Sequence, residues 1–143
     1  MYEEHRFGMQ LTQLSRAWRA ELDRRLAELG LSQARWLVLL HLARDKVLPT
    51  QGELACSVGV ENPTLARLLD ALEAQQLIER QTDEQDRRVK KIALTDAAIP
   101  LIAEIEVIAT GLRREIFAGL TEQDIQTCQQ IHAQMLANLE KNT

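Results

Sequence analysis

Near the middle of the chain, Asp86-Arg87-Arg88-Val89-Lys90-Lys91 sets four cationic side chains against one carboxylate. That is a net of +3 on a protein whose formal charge is −4. Clustered cations of this kind suit a phosphate backbone, or the narrow A·T minor groove where negative potential concentrates. A solvated hairpin turn carries the same residue types, so this stretch alone leaves both readings open. A second set lies upstream: Asn62, Pro63 and Thr64, with Arg67 one helical turn later. Amide and hydroxyl groups hydrogen-bond base edges or phosphates, and a guanidinium forks onto O6 and N7 of guanine. An ordinary surface helix is the competing reading, since Glu61, Asp70 and Glu73 outnumber Arg67 there.

Other chemistries find no constellation. There is no Ser/His/Asp arrangement, no Gly-rich phosphate loop and no carboxylate pair facing a pocket. Asp83, Glu84 and Asp86 fall on a flexible tip, a poor place for acid–base work. His5, His41 and His132 are scattered, so no metal site, cofactor or catalytic residue is expected. Cys56 and Cys128 each sit in apolar helical text and read as buried free thiols. With 45% hydrophobic and 27% charged residues, the 143-residue chain reads as a soluble globular domain. Aromatics are only 3%, so the core must come from Leu, Ile, Val and Ala, which suits helices. The acidic balance argues against a generally basic nucleic-acid coat, but not against a local contact. No stretch reaches the roughly 18 apolar residues of a membrane span, and the first residues lack a signal peptide's apolar segment. A cytoplasmic location is the expectation.

The elements that must position these residues follow from periodicity and caps. Residues 5–29 place Phe7, Leu11, Leu14, Trp18, Leu22, Leu26 and Leu29 on one helical stripe, with Gly30 as the stop. Ser32 reads as the cap of a second helix, roughly 33–44. Its run Trp36–Leu42 is apolar almost all round and should be central; periodicity there does not separate buried helix from strand, and the polar ends favour helix. Thr50 with Glu53 spells a capping box for a third helix, about 51–57, burying Leu54, Ala55 and Val58. Gly59 breaks it. Glu61 or Asn62 caps a fourth helix, with Pro63 in its first turn and Leu65, Leu68, Leu69 and Leu72 as its stripe. Two short helices about a glycine turn make a helix-turn-helix. Residues 77–80 and 91–94 alternate as a hairpin around the cationic tip.

Thr95 or Asp96 caps a long helix, roughly 96–118, striped by Ile99, Ile102, Ile105, Ile108 or Ala109, Leu112 and Ile116. Thr121 with Asp124 opens a last helix striped by Ile125, Cys128, Ile131, Met135 and Leu139. Stripes at both termini with no partner in the chain suit pairing with a second copy. The competing view has the terminal helices covering each other in a monomer. The order helix–helix–hairpin gives a mainly α (α+β) fold, a winged helix-turn-helix with long N- and C-terminal helices.

The text Leu54-Ala55, Val58-Gly59-Val60, Pro63 through Glu73, Leu77-Ile78-Glu79-Arg80, Asp86-Arg87-Arg88 and Leu94-Thr95 resembles the MarR family of bacterial transcriptional regulators. Within it, Arg16-Ala17-Trp18-Arg19-Ala20 and residues 98–106 are most similar to the SlyA branch. The resemblance covers nearly the whole chain. It implies a single domain, 1–143, in which 1–30 and 96–143 are dimerisation helices and 32–94 is a DNA-binding lobe with its wing over 78–94. It implies a homodimer on double-stranded DNA, reading a pseudo-palindromic operator. By position, Asn62, Pro63, Thr64 and Arg67 would serve the major groove and Arg88 the minor groove. Arg87 and Lys90 would lie on the phosphate side, with Asp86 shaping the wing. Arg16, Trp36 and, one place displaced, His41 match a pocket for a small aromatic carboxylate effector; plain core packing is the other reading of Trp36. Gln76 and Ala98 stand where glycines are frequent in the family. The alternative function is a winged-helix protein-interaction module without DNA binding.

Overall fold

The computed structural model describes residues 2–31 and 34–142. Two compact units divide the chain, residues 1–110 and 111–143. Helix α1 (Tyr2–Leu26) tightens into a 3₁₀ turn over Ala27–Leu29 and stops at Gly30, whose φ of 74° is the left-handed conformation glycine accepts without strain. Helix α2 (Arg35–Arg44) follows; the proposed cap, Ser32, lies outside the described residues. Just before α2, Ala34 adopts a left-handed φ of 68°, and its N–H donates to Asp23 Oδ1 of α1 at 3.3 Å. As its apolar girth requires, α2 is central: Trp36, Val38, Leu39, Leu40 and Leu42 are buried, and it contacts the helices over Gln51–Val58 and Asn62–Ala74 and the strand Lys90–Leu94.

Helix α3 (Gln51–Val58) opens with the expected capping box. Thr50 Oγ1 accepts from Glu53 N–H at 3.1 Å, and Glu53 Oε1 accepts from Thr50 N–H at 3.1 Å. Leu54, Ala55 and Val58 are buried as their spacing demands. Gly59, at φ 83°, turns the chain into α4 (Asn62–Ala74), where Leu65, Leu69 and Leu72 are buried and Pro63 sits in the first turn. Glu61 holds the cap position but makes no side-chain capping bond.

Strands β1 (Ile78–Thr82) and β2 (Lys90–Leu94) pair antiparallel, with Ile78 opposite Leu94, Arg80 opposite Ile92 and Thr82 opposite Lys90. Pro49 and Thr50 add a short rung beside β2: Ile92 N–H donates to Pro49 O at 3.0 Å, and Thr50 bridges to Lys91. The wing is thereby tied to the start of α3. Helix α5 (Ala98–Ile116) begins two residues later than expected; a turn precedes it in which Thr95 O and Asp96 O accept from Ala98 and Ile99 N–H at 3.1 and 3.2 Å, and Thr95 Oγ1 donates to Gln76 O at 2.7 Å. Its buried stripe is Ala98, Ile105, Ala109 and Leu112. Ile99, assigned to that stripe from the sequence, is exposed, because the next residue along a helix turns about 100° away from buried Ala98.

In the second unit, α6 (Glu122–Lys141) opens on the expected box, with Thr121 Oγ1 accepting from Asp124 N–H at 3.0 Å and Asp124 Oδ2 from Thr121 N–H at 2.9 Å. No residue of α6 is buried within the chain. Ile131, Met135, Leu136 and Leu139 lie exposed, as do Phe7, Leu11 and Leu14 of α1. The expectation of buried thiols is corrected here: Cys56 and Cys128 are free and exposed. Cys56 falls between the buried positions of α3 and points off its core face, and Cys128 lies on a helix that buries nothing in its own chain. Among the described residues, no helix is long and apolar enough to cross a membrane.

Candidate nucleic-acid interface

The first turn of α4 presents what the helix-turn-helix reading requires. Asn62, Pro63 and Arg67 are exposed and Thr64 is half-buried. Arg67 makes no hydrogen bond or ion pair among the described residues; with Thr64, Leu68 and Ala71 of the same face and Arg35 of α2 it lines a shallow cleft. Its guanidinium is thus uncommitted, the state in which a cation can meet an acceptor without first breaking a pair. Leucines at 65, 69 and 72 turn the opposite face inward, so burial alone fixes which side of α4 looks out.

The wing tip is built by aspartates. Asp83 Oδ1 accepts from Gln85 N–H at 3.0 Å, and Asp86 Oδ1 accepts from Arg88 N–H at 3.1 Å, two side-chain-closed turns in succession. Backbone bonds from Asp83 N–H to Val89 O and from Val89 N–H to Asp86 O, both 3.0 Å, close the loop. Asp86 also takes Arg88 Nε at 3.1 Å, while the Arg88 side chain stays 91% exposed. The Arg88 guanidinium, and next its N–H, hold the Asp86 carboxyl below its ordinary range. So Asp86 shapes the turn and steadies an arginine that still projects into solvent. Arg87 is exposed. Lys90 Nζ donates to Thr82 Oγ1 across the strands at 2.7 Å.

One residue of this region carries no mark in its own identity. Arg80, on β1, donates from Nη1 to Glu73 Oε1 at 2.9 Å and from Nη2 to Asp70 Oδ1 at 2.8 Å, with a longer 3.5 Å contact to Ala66 O. Strand alternation held the signal: Arg80 lies two residues from buried Ile78 and shares its inward face. Asp83 closes its turn by the same local chemistry, since an aspartate two residues before a turn amide is an Asx-turn pattern.

Of the proposed effector residues, Arg16 lies on an exposed face of α1, in a groove lined also by Gly8, Met9, Thr12 and Gln13. Trp36 is buried and its indole N–H donates to Asp23 Oδ1. His41 is half-buried; burial, and then Arg44, push its pKa below the usual imidazole value. Among the described residues no group of three or more His, Cys, Asp or Glu is placed to hold a metal ion.

Known proteins share this fold. The MarR family model matches residues 31–90, from the end of the first helical segment to the start of β2. The structure of the transcriptional regulator PA3341 is 61% identical, covering 94% of this chain and 98% of that one, with a TM-score of 0.89. MepR of S. aureus, solved in complex with DNA, is 25% identical over 93% of this chain and 96% of its own, with a TM-score of 0.80. The transcriptional regulator SlyA, at 22% identity over 95% of each chain and a TM-score of 0.84, shares the fold. With a helix-turn-helix, a wing and these relatives in hand, the chain belongs to the MarR family of transcriptional regulators, DNA-binding proteins of winged-helix fold.

Proposed function

We propose that this protein is a homodimeric, sequence-specific regulator of transcription that reads a pseudo-palindromic operator. The observation that carries the reading is a pair of exposed cationic sites, Arg67 on α4 and Arg87–Arg88 on the wing, on elements that are themselves joined. Arg67, with Asn62, Pro63 and Thr64, reads base edges in the major groove. Arg88 reads the width of an A·T-rich minor groove, Arg87 and Lys90 contact phosphates, and Asp86 holds the wing in shape. Residues 1–30 and 96–143 serve as dimerisation helices, and 32–94 as the DNA-binding lobe. Support for the dimer is the uncovered apolar stripe on α1 and that on α6, each described within its own unit.

The SlyA branch is supported by the Arg16–Ala20 text, a cytoplasmic site of action by the regulatory role, and the absence of catalysis by the lack of any reactive constellation. An aromatic carboxylate effector acting through Arg16, Trp36 and His41 rests on the family resemblance; the Trp36 indole N–H also donates to Asp23. An effector shifts operator affinity only if it prefers one dimer shape, so a titration with a salicylate-like anion that leaves operator affinity unchanged removes this part.

Selection of bound sequences from a random duplex pool tests the main reading. The expected product is two half-sites centred about 10 bp apart, one turn of duplex. Recovery of no preferred sequence even at low salt turns the assignment toward a protein-interaction module. On a selected operator with A·T flanks, Arg88→Ala is expected to weaken binding; unchanged affinity refutes the wing's part.

A further inference from the structure

We infer that Arg80 is a positioning residue for DNA binding: its forked ion pair with Asp70 and Glu73 fastens the root of the wing to the recognition helix. It makes α4 and the hairpin one reading head. The inference rests on the DNA-reading proposal above and adds a residue that touches no DNA.

Three observations carry it. Ala66, Asp70 and Glu73 recur at i, i+4 and i+7, one face of α4, and all three meet the guanidinium of Arg80 on β1. A planar fork holding two carboxylates fixes orientation as well as distance, which an ammonium does not. The Asp70 and Glu73 side chains are 71% and 47% exposed, so water screens both pairs and they add little to folding stability. A well-formed fork of little thermodynamic weight is suited to geometry. Arg67 and Arg88 belong to separate elements, and two contacts on a rigid frame reinforce each other through a high effective concentration that a loose wing forfeits.

A double-mutant cycle on the full-length protein and its best selected duplex tests this. In the native background Arg88→Ala is expected to weaken binding about tenfold; in an Arg80→Met background the same change costs about threefold or less. An equal fold-cost in both backgrounds overturns the inference. Arg80→Lys keeps the charge without the fork and is expected to behave like Arg80→Met; full restoration by lysine would mean that Arg80 only neutralises the helix, and overturns it too. Should Arg80→Met fail to fold, Asp70→Asn with Glu73→Gln opens the clamp from the helix side. That variant binds any duplex more tightly through lost repulsion, yet should show the same fall in the Arg88 increment. If neither Arg67→Ala nor Arg88→Ala affects the native protein, the DNA-reading proposal itself fails. If both do, independently of Arg80, only the clamp fails.

Discussion

Replacing Gln76 by glycine should stabilise the protein, and the joint between α4 and the wing says by how much. Helix α4 ends in a double backbone lock: Gln76 N–H donates to Glu73 O at 2.9 Å and Leu77 N–H to Leu72 O at 3.0 Å. This is the Schellman pattern, with its apolar contact supplied by buried Leu72 and Leu77. It demands a left-handed residue at 76, and Gln76 adopts φ 62°. A residue with a Cβ is strained there by about 1–2 kcal/mol. Glycine removes that strain but has more freedom to lose on folding, returning about 0.4–1 kcal/mol. The Gln76 side chain is exposed and makes no hydrogen bond among the described residues, and the lock is all backbone, so nothing else changes. The net is about 0.5–1 kcal/mol in favour of Gln76→Gly, or about 3 °C in Tm for a chain of this size. Gln76→Val, branched at Cβ, should lose at least about 1 kcal/mol at the same site. Urea unfolding of the three proteins at one fixed protomer concentration measures this, since association would otherwise move the midpoints. A glycine variant no more stable than the parent would mean that residue 76 is not held left-handed, and the account of the joint would be wrong.

Thr50→Ala opens the capping box of α3 and should cost about 1 kcal/mol by thermal or urea unfolding, whereas Thr50→Ser should cost little. Glu21 accepts from Arg24 and Arg25, whose hydrogen bonds hold its carboxyl down from 4.5 to about 2. A depressed carboxylate stabilises the fold above its unfolded pKa and loses that contribution as pH falls, here between about 4.5 and 2. Glu21→Gln should therefore flatten the acid limb of a stability–pH curve at low salt, and an unchanged limb would refute the pairing. On a selected operator, Arg67→Ala should cost roughly 1–3 kcal/mol and relax preference at one base position. Lys90→Ala should instead weaken all duplexes alike and reduce the salt slope by about 0.9, one phosphate's worth, in titrations at several salt concentrations.

The sequence by itself determined the elements whose signals are local. Both capping boxes, at Thr50/Glu53 and Thr121/Asp124, and the glycine stops at 30 and 59 stand where residue type and spacing put them, because each closes within four residues or fewer. The inward Leu65, Leu69 and Leu72 of α4, and hence the outward Arg67, follow from helical period; Leu68, read from the sequence as part of that stripe, is half-buried and lines the cleft beside Arg67. Tertiary structure decided what local pattern does not encode. Thr95 Oγ1 donates to Gln76 O, nineteen residues away, a partner that no local pattern names. Trp36 is buried, with its indole N–H satisfied by Asp23 on another helix. Cys56 and Cys128 are exposed because burial depends on which face finds a neighbour. Arg80 pairs with Asp70 and Glu73 only once the hairpin folds back on α4: opposite charges attract at any spacing, and the fold alone selects which of them meet.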